Sequence, residues 1–169
     1  ITCGNGFVKG ESTPDGSGIV TLINVSNVLI YKNEAYRNNR PAIYVESCGV
    51  ILGKDNWADN QVEITLGLEE LVLENNRFSS INLIANTKAK KIELRENKLG
   101  SLSLPNDIQV DEFIVEKNSF SHANFNLNLK GKVELIGNKI ENSSQNPTIL
   151  ITKADDAVIE NNEILSHNS

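Results

Sequence analysis

The sequence predicts an all-β solenoid, because one short pattern returns through the chain at a nearly constant spacing. An asparagine marks each copy, except for one copy that has an aspartate. The marker residues are Asn33, Asp55, Asn76, Asn97, Asn118, Asn138 and Asn162. The steps between them are 22, 21, 21, 21, 20 and 24 residues. Repeats of this length stack on one another and bury their apolar side chains against their neighbours.

Each copy contains two strand patterns. Apolar residues lie five and three positions before each marker and two positions after it, as Leu71, Leu73 and Phe78 do. Such alternation is typical of a strand and not of a helix. A second apolar segment precedes each copy, for example at residues 62–64 and 81–83. A coil that winds once per unit would provide the crossover that parallel strands require.

The marker residues predict a ladder along the inside of the coil. An inward asparagine on one turn can hydrogen-bond to the asparagine on the next turn. Asparagine also tolerates the left-handed backbone that a sharp corner needs. Trp57, the only tryptophan, lies two positions after Asp55 and so occupies the same place as Phe78. We therefore expect Trp57 in the core rather than on a sugar-binding surface.

The combined pattern G-I-x-I…x-V-x-I-x-x-N-x-I resembles the repeat of the pectate-lyase-like superfamily over roughly residues 17 to 165. The resemblance implies a right-handed parallel β-helix of about seven rungs. It implies no single activity, because that superfamily includes lyases, hydrolases, epimerases, phage tailspikes and adhesins. The alternative fold is a leucine-rich-repeat solenoid, which residues 68–78 also fit. We rank it lower because other copies have Val, Phe or Ala where that family has Leu.

The length of 169 residues fits a single β-helix domain over 1–169, with a turn-rich loop at 8–18 before the first complete rung. The chain opens inside a rung and closes without a capping element, so we expect a part of a longer β-helical protein. A bare solenoid end exposes unpaired strand edges. The expected partners are therefore a missing capping segment or further copies in a homo-oligomer.

Composition and residue spacing argue against several functions and structural features. The net charge of −6 and the pI of about 5.0 argue against a nucleic-acid partner. No apolar run has the length of a membrane span. The spacing of Cys and His residues predicts no metal site, and we expect no cofactor. Cys3 and Cys48 lie about two rungs apart, and we expect them not to form a disulfide.

Two acidic pairs, Asp111-Glu112 and Asp155-Asp156, look like the paired carboxylates of glycoside hydrolases. The repeat aligns them with charged residues of other turns. On successive turns the aligned pairs are Glu69-Glu70, Lys90-Lys91, Asp111-Glu112, Gly131-Lys132 and Asp155-Asp156. Opposite charges on neighbouring strands stabilise the pairing. We interpret these columns as charge ladders that specify the register and not as catalytic groups.

The resemblance also implies where a substrate would lie, which is along the sheet formed by the second strand of each unit. Outward residues of that strand are mostly amides and hydroxyls, which bind sugar hydroxyls. The carbohydrate-binding candidates are Tyr44, Asn82, Asn124, Asn126 and Asn128. Candidates for catalysis, should the chain be an enzyme, are Glu46, Glu63, Tyr44, Arg37 and Arg40. No complete catalytic signature of the superfamily occurs in the sequence.

An apolar patch is expected on the other strand. Leu29, Tyr31, Ile51 and Val72 are predicted to point outwards on the first three rungs. An exposed patch of this kind is typical of a surface that another segment or subunit covers.

Three functions remain open. The first is recognition of polysaccharide by an extracellular module on a cell or virion surface, as in a tailspike or an adhesin. The second is a polysaccharide lyase or glycoside hydrolase. The third is a purely structural rod, which the short connections and the charge ladders favour.

Overall fold

The structure is a computed structural model that describes residues 2–3, 18–38, 40–84, 87–104, 108–123, 125–142 and 149–166. Of the loop predicted at 8–18, only Gly18 is among them. These residues form eighteen strands and no helix. The strands are β1 (Thr2–Cys3), β2 (Val20–Ile23), β3 (Asn27–Tyr31), β4 (Glu34–Tyr36), β5 (Ile43–Lys54), β6 (Trp57–Ala58), β7 (Val62–Glu74), β8 (Arg77–Leu83), β9 (Lys88–Arg95), β10 (Lys98–Ser103), β11 (Gln109–Glu116), β12 (Ser119–Ala123), β13 (Phe125–Asn128), β14 (Lys132–Ile136), β15 (Lys139–Asn142), β16 (Ile149–Lys153), β17 (Asp156–Glu160) and β18 (Glu163–Ser166).

The described strands pair only in parallel, and most pairs join residues one turn apart. The chain therefore forms a parallel β-helix, as the sequence predicts. It has about six turns rather than seven, since seven marker residues enclose six intervals. The leucine-rich-repeat alternative is wrong, because each turn has three strand segments and the described part of the chain has no helix.

Three faces surround the axis, and we name each after one residue. The Glu93 face contains β3, β9, β11, β14 and β17 with the second halves of β5 and β7. The Trp57 face contains β4, β6, β12, β15 and β18 with the first parts of β8 and β10. The Tyr44 face contains β2, β13 and β16 with the first halves of β5 and β7 and the last residues of β8 and β10.

Inward side chains of the three faces form one continuous core along the axis. Phe113, Phe120 and Phe125 are among its largest fully buried members. The rings of Phe120 and Phe125 meet edge to face with their centroids 5.5 Å apart. Burial of each such side chain stabilises the fold by about 1.5–3 kcal/mol. Alternation along each strand therefore decides which residues reach solvent.

An asparagine ladder runs along the corner between the Glu93 and Trp57 faces. From the second member onwards, each side-chain oxygen accepts hydrogen bonds from the backbone N–H and the Nδ2 of the asparagine on the previous turn, at 2.9–3.1 Å. Each Nδ2 from the second member onwards also donates to a backbone carbonyl on the previous turn, at 2.7–2.9 Å. The members are Asn33, Asn56, Asn76, Asn97, Asn118, Asn138 and Asn162.

The ladder contains Asn56, and the prediction of Asp55 at this place was wrong. The buried corner needs a side chain that both donates and accepts, whereas a carboxylate only accepts and carries a charge. Gly53 caused the error in register, because it fills an inward position between Ile30 and Leu73 where other turns have a large side chain.

Two expectations for the second turn change with this register. Ile51 is buried, and its neighbour Leu52 takes the outward position instead. Trp57 lies one position after the ladder residue, pairs with the outward Arg77 and is 39% exposed, so its predicted place in the core was wrong. A one-residue change of register moves every side chain of a strand to the opposite side of the sheet.

The left-handed corner residue lies immediately before each ladder asparagine and not at the asparagine itself. The residues with positive φ at this place are Lys32, Asp55, Asn75, Glu96, Lys117 and Asn161, with Gly137 on the remaining turn. A left-handed conformation costs an ordinary L-residue about 1–2 kcal/mol. The backbone is thus strained at the corner of each such turn, and the hydrogen bonds of the adjacent ladder asparagine hold it in this conformation.

We predict that Glu96→Gly is more stable than Glu96→Ala by about 1 kcal/mol, because glycine adopts φ near 55° without the steric cost of a Cβ. Chemical denaturation of both variants measures the difference. The same two substitutions at the exposed strand residue Ser119 are the control, and there alanine should be the more stable. Equal stability of the two Glu96 variants would contradict the claim that the backbone is strained at this corner.

Candidate functional site

Part of the outward surface of the Glu93 face is a lattice of charges that neutralise one another. One column alternates in sign from turn to turn through Glu70, Lys91, Glu112, Lys132 and Asp156, as the sequence predicts. Vertical ion pairs join Lys90 to Glu69 at 2.9 Å and Lys54 to Glu74 at 2.6 Å. Other ion pairs lie within a strand, such as Lys132–Glu134 at 2.6 Å. Strand pairing and ion pairs therefore account for these charged side chains without a ligand.

Glu93 is the most enclosed carboxylate of that lattice. Its side chain is only 9% exposed, and its two oxygens contact Lys91 Nζ at 2.5 Å and Arg95 Nε at 2.6 Å. Arg95 also reaches Glu116 on the next turn, at 3.5 Å. Both oxygens of Glu93 already contact cations, which leaves them little capacity to bind a ligand. We therefore place no catalytic role on Glu93.

The Tyr44 face carries a hydrogen-bonded set of polar side chains. The hydroxyl of Tyr44 donates to Glu46 Oε2 at 3.1 Å and accepts from Thr65 Oγ1 at 3.3 Å. On the adjacent turns, Gln61 Nε2 donates to Glu63 Oε2 at 3.0 Å, and Asn82 Nδ2 donates to Gln61 Oε1 at 2.9 Å. These contacts fix the orientation of six half-buried side chains before any ligand arrives.

The register of the paired strands places three of the predicted site residues in one line across the Tyr44 face. Tyr44, Glu63 and Asn82 occupy equivalent positions on successive turns, and Ser103 follows them. Adjacent members are separated by one strand spacing of roughly 4.8 Å. Glu46 lies beside this line, in the column between Ile23 and Thr65. The structure thus brings Tyr44, Glu46, Glu63 and Asn82 onto one surface.

The arginine candidates do not complete a catalytic set with these residues. Arg37 and Arg40 are exposed, and among the described residues neither side chain forms an ion pair with Glu46 or Glu63. The backbone N–H of Arg37 donates to the Asp59 carboxylate at 2.9 and 3.2 Å. The backbone carbonyl of Arg40 accepts from Asn60 Nδ2 at 2.7 Å. Both arginines thus contribute their backbones to the connection between turns.

Three carbohydrate-binding candidates lie partly or wholly outside the described structure. Asn124 is not among the described residues. Asn126 and Asn128 belong to β13, but their side chains are not described.

Cys48 is a free, buried thiol, and its Sγ donates to the backbone carbonyl of Glu46 at 3.4 Å.

The predicted apolar patch has a different membership. Leu29 and Tyr31 are exposed, Val72 is half-buried, and the buried Ile51 is replaced by the exposed Leu52. Leu29, Leu52 and Val72 then form one column on the Glu93 face. Their role at an interface stays a prediction.

The sequence reasoning missed a groove on the Trp57 face. A cavity of about 270 Å³ lies beside the indole and is lined by Trp57, Asp59, Arg77, Ser79, Lys98, Gly100 and Ser121, with buried side chains at its base. The register error hid this site, because it placed Trp57 in the core. The amide requirement of the ladder would have found it, since Asn56 directly follows Asp55.

Neither a cluster of metal ligands nor a membrane-spanning helix occurs in the described part of the chain. The described side chains include no group of three His, Cys, Asp or Glu residues that could hold a metal ion. The same part of the chain contains no helix of the length and apolarity that crossing a bilayer would require.

Comparisons of the chain with protein-family models, with curated proteins and with solved structures found no match.

Protonation of Glu116 should weaken the charge lattice. A hydrogen bond from Lys117, followed by the charges of Lys117 and Arg95, lowers the pKa of Glu116 below its ordinary value of 4.5 against an opposing effect of burial. A lowered pKa in the folded state stabilises the fold above the pKa of the unfolded state, and this contribution is lost as the pH falls through the lower value.

We therefore predict that the difference in unfolding free energy between the wild type and Glu116→Gln is constant near neutral pH and shrinks as the pH falls below 4.5. Denaturant titrations at several pH values measure it. In a Lys117→Gln background the shrinkage should be smaller, because the main cause of the pKa shift is gone. A difference that grows on acidification would contradict the ion pair.

Proposed function

We propose that the chain is a surface β-helix module that recognises polysaccharide through its Tyr44 face without cleaving it. The observation that carries the proposal is the pre-organised polar set on that face. An aromatic ring, two carboxylates and two amides lie on adjacent turns, and each is oriented by a neighbour. Rigid polar groups lose less freedom when a ligand binds, which favours affinity.

The free hydrogen-bonding capacity of this face suits sugar hydroxyls. Glu46 and Glu63 form no ion pair among the described residues, so each keeps one carboxylate oxygen for a ligand donor. Ser103 extends the same line of outward residues and is exposed. Charge-assisted hydrogen bonds from hydroxyls to carboxylates are short and strong.

Recognition without turnover fits the chemistry of this face better than a lyase reaction does. A lyase needs a base and a cation or metal to stabilise the developing charge. The Tyr44 hydroxyl instead donates a hydrogen bond to Glu46, and no arginine forms an ion pair with Glu46 or Glu63 in the described structure. The proposal includes membership of the pectate-lyase-like superfamily. It also includes a location outside the cell or on a virion surface, and the repeat pattern supports both.

We predict that Tyr44→Ala weakens binding to the recognised polysaccharide about tenfold or more, because it removes the aromatic ring and frees Glu46. Binding is measured by calorimetry after a screen of neutral and acidic polymers. Tyr31→Ala is the matched control, since Tyr31 is exposed on a different face and should leave the affinity within about twofold.

Tyr44→Phe separates the ring from the hydroxyl and should retain part of the affinity. Thermal unfolding of all three variants establishes that each is folded. Binding to none of the polymers would overturn the proposal. Release of reducing ends would also overturn it and would favour the lyase or hydrolase, with Glu46 and Glu63 as the groups to substitute next.

A further inference from the structure

The Trp57 face carries two adjacent cations, Arg77 and Lys98, that form no ion pair with a carboxylate in the described structure. The outward residues immediately after the ladder are, in order, Glu34, Trp57, Arg77, Lys98, Ser119, Lys139 and Glu163. Arg77 and Lys98 are directly opposite each other on neighbouring strands, and both are exposed. Among the described residues, neither they nor Lys139 form an ion pair with a carboxylate.

This arrangement costs the fold stability. Like charges directly opposite on neighbouring strands are destabilising, whereas the column through Lys91 on the Glu93 face alternates in sign on every turn. The protein as a whole has a net charge of −6, so carboxylates to compensate Arg77 and Lys98 are plentiful in the sequence. Residues that break a local stability rule without compensation are expected at functional sites, which favours a function for this cationic pair.

Trp57 provides an aromatic surface next to the cations. Its indole is 39% exposed, and Tyr36 packs against it with the ring centroids 5.3 Å apart and a tilt of 47°. The guanidinium carbon of Arg77 lies 5.7 Å from the centre of the Trp57 ring system. The indole and the guanidinium are thus held together in one orientation.

The groove between them has the size and lining of a small ligand site. Its volume of about 270 Å³ is near the lower limit of usual ligand pockets, about 300 Å³. The small residues Ser79, Gly100 and Ser121 line the groove together with Arg77 and Lys98. The carboxylate of Asp59 at the edge already accepts from the Arg37 backbone.

We propose that this groove binds a sugar ring that carries an anionic substituent. The apolar side of the ring packs on Trp57, and the anion accepts hydrogen bonds from Arg77 and Lys98. A sugar fits better than a nucleic acid, because the acidic surroundings repel a continuous phosphate backbone but tolerate one charge at the cations. The ligand class rests on the proposed function, whereas the groove is separate from the Tyr44 face.

Intrinsic fluorescence tests the groove directly, because Trp57 is the only tryptophan in the chain. The protein is titrated with carboxylated, sulfated and neutral oligosaccharides of equal length, and with a single-stranded oligonucleotide. We expect a saturable change in Trp57 emission with a carboxylated or a sulfated sugar. The stronger of the two identifies the anion, and the neutral sugar should bind at least about tenfold more weakly.

The variant Arg77→Gln with Lys98→Gln should raise the dissociation constant of the anionic sugar about tenfold or more. Lys88→Gln with Lys130→Gln is the matched control. Both of these lysines are exposed and make no ion pair among the described residues, and the loss of charge is the same. The control should change the affinity by less than about twofold.

Equal affinity for the neutral sugar, tighter binding of the oligonucleotide, or equal effects of the two double variants would each overturn the inference. Tyr44→Ala distinguishes it from the proposed function. If that variant loses polysaccharide binding while the Arg77–Lys98 variant does not, the groove fails and the Tyr44 face stands. If the emission change persists in Tyr44→Ala, the groove stands independently of that face.

Discussion

Stacked amides at one corner of the coil decide the position of every other residue in this protein. Each interior ladder asparagine accepts two hydrogen bonds from the previous turn and donates to the next asparagine and to a backbone carbonyl. A slip by one residue would leave several of these buried groups without partners, at about 1–3 kcal/mol each. The same slip would turn the buried apolar side chains outwards, so the ladder and the core specify one register together.

The fixed register gives the three faces different characters. On the Glu93 face it places opposite charges on neighbouring strands. Lys91, Arg95 and Lys132 each also form an ion pair within their own strand. On the Trp57 face the same repeat places Arg77 opposite Lys98, and neither forms an ion pair with a carboxylate in the described structure. Since both faces have equivalent backbones, the side chains alone account for the difference. The unbalanced face and the pre-organised Tyr44 face are therefore where we place ligands.

Most of the fold could be predicted from the sequence, because the ladder asparagines and the flanking apolar residues report on one repeated environment. Six of the seven ladder members were identified, as was the alternating column through Glu112. The second turn was misassigned because Gly53 hides the alternation and Asp55 resembles Asn56 in shape. The difference between them lies in the hydrogen-bond donors that a carboxylate lacks.

The candidate site was less predictable, since it depends on contacts between turns. The sequence identified Tyr44, Glu46, Glu63 and Asn82 as members of one face, which the register confirms. It did not show that Gln61 and Thr65 connect them, because neither residue lies in a recognisable motif. The Trp57 groove could not be found until the ladder position of Asn56 had placed the indole outside.

The most direct test compares the unfolding free energies of Asn56→Asp and Asp55→Asn, two changes that alter adjacent residues by the same few atoms. If Asn56 is the ladder residue, Asn56→Asp buries a charge and removes two donated hydrogen bonds, which should cost about 3 kcal/mol or more. Asp55→Asn should be nearly neutral, because its oxygen can still accept from Asn75. A large loss for Asp55→Asn with little change for Asn56→Asp would contradict the register.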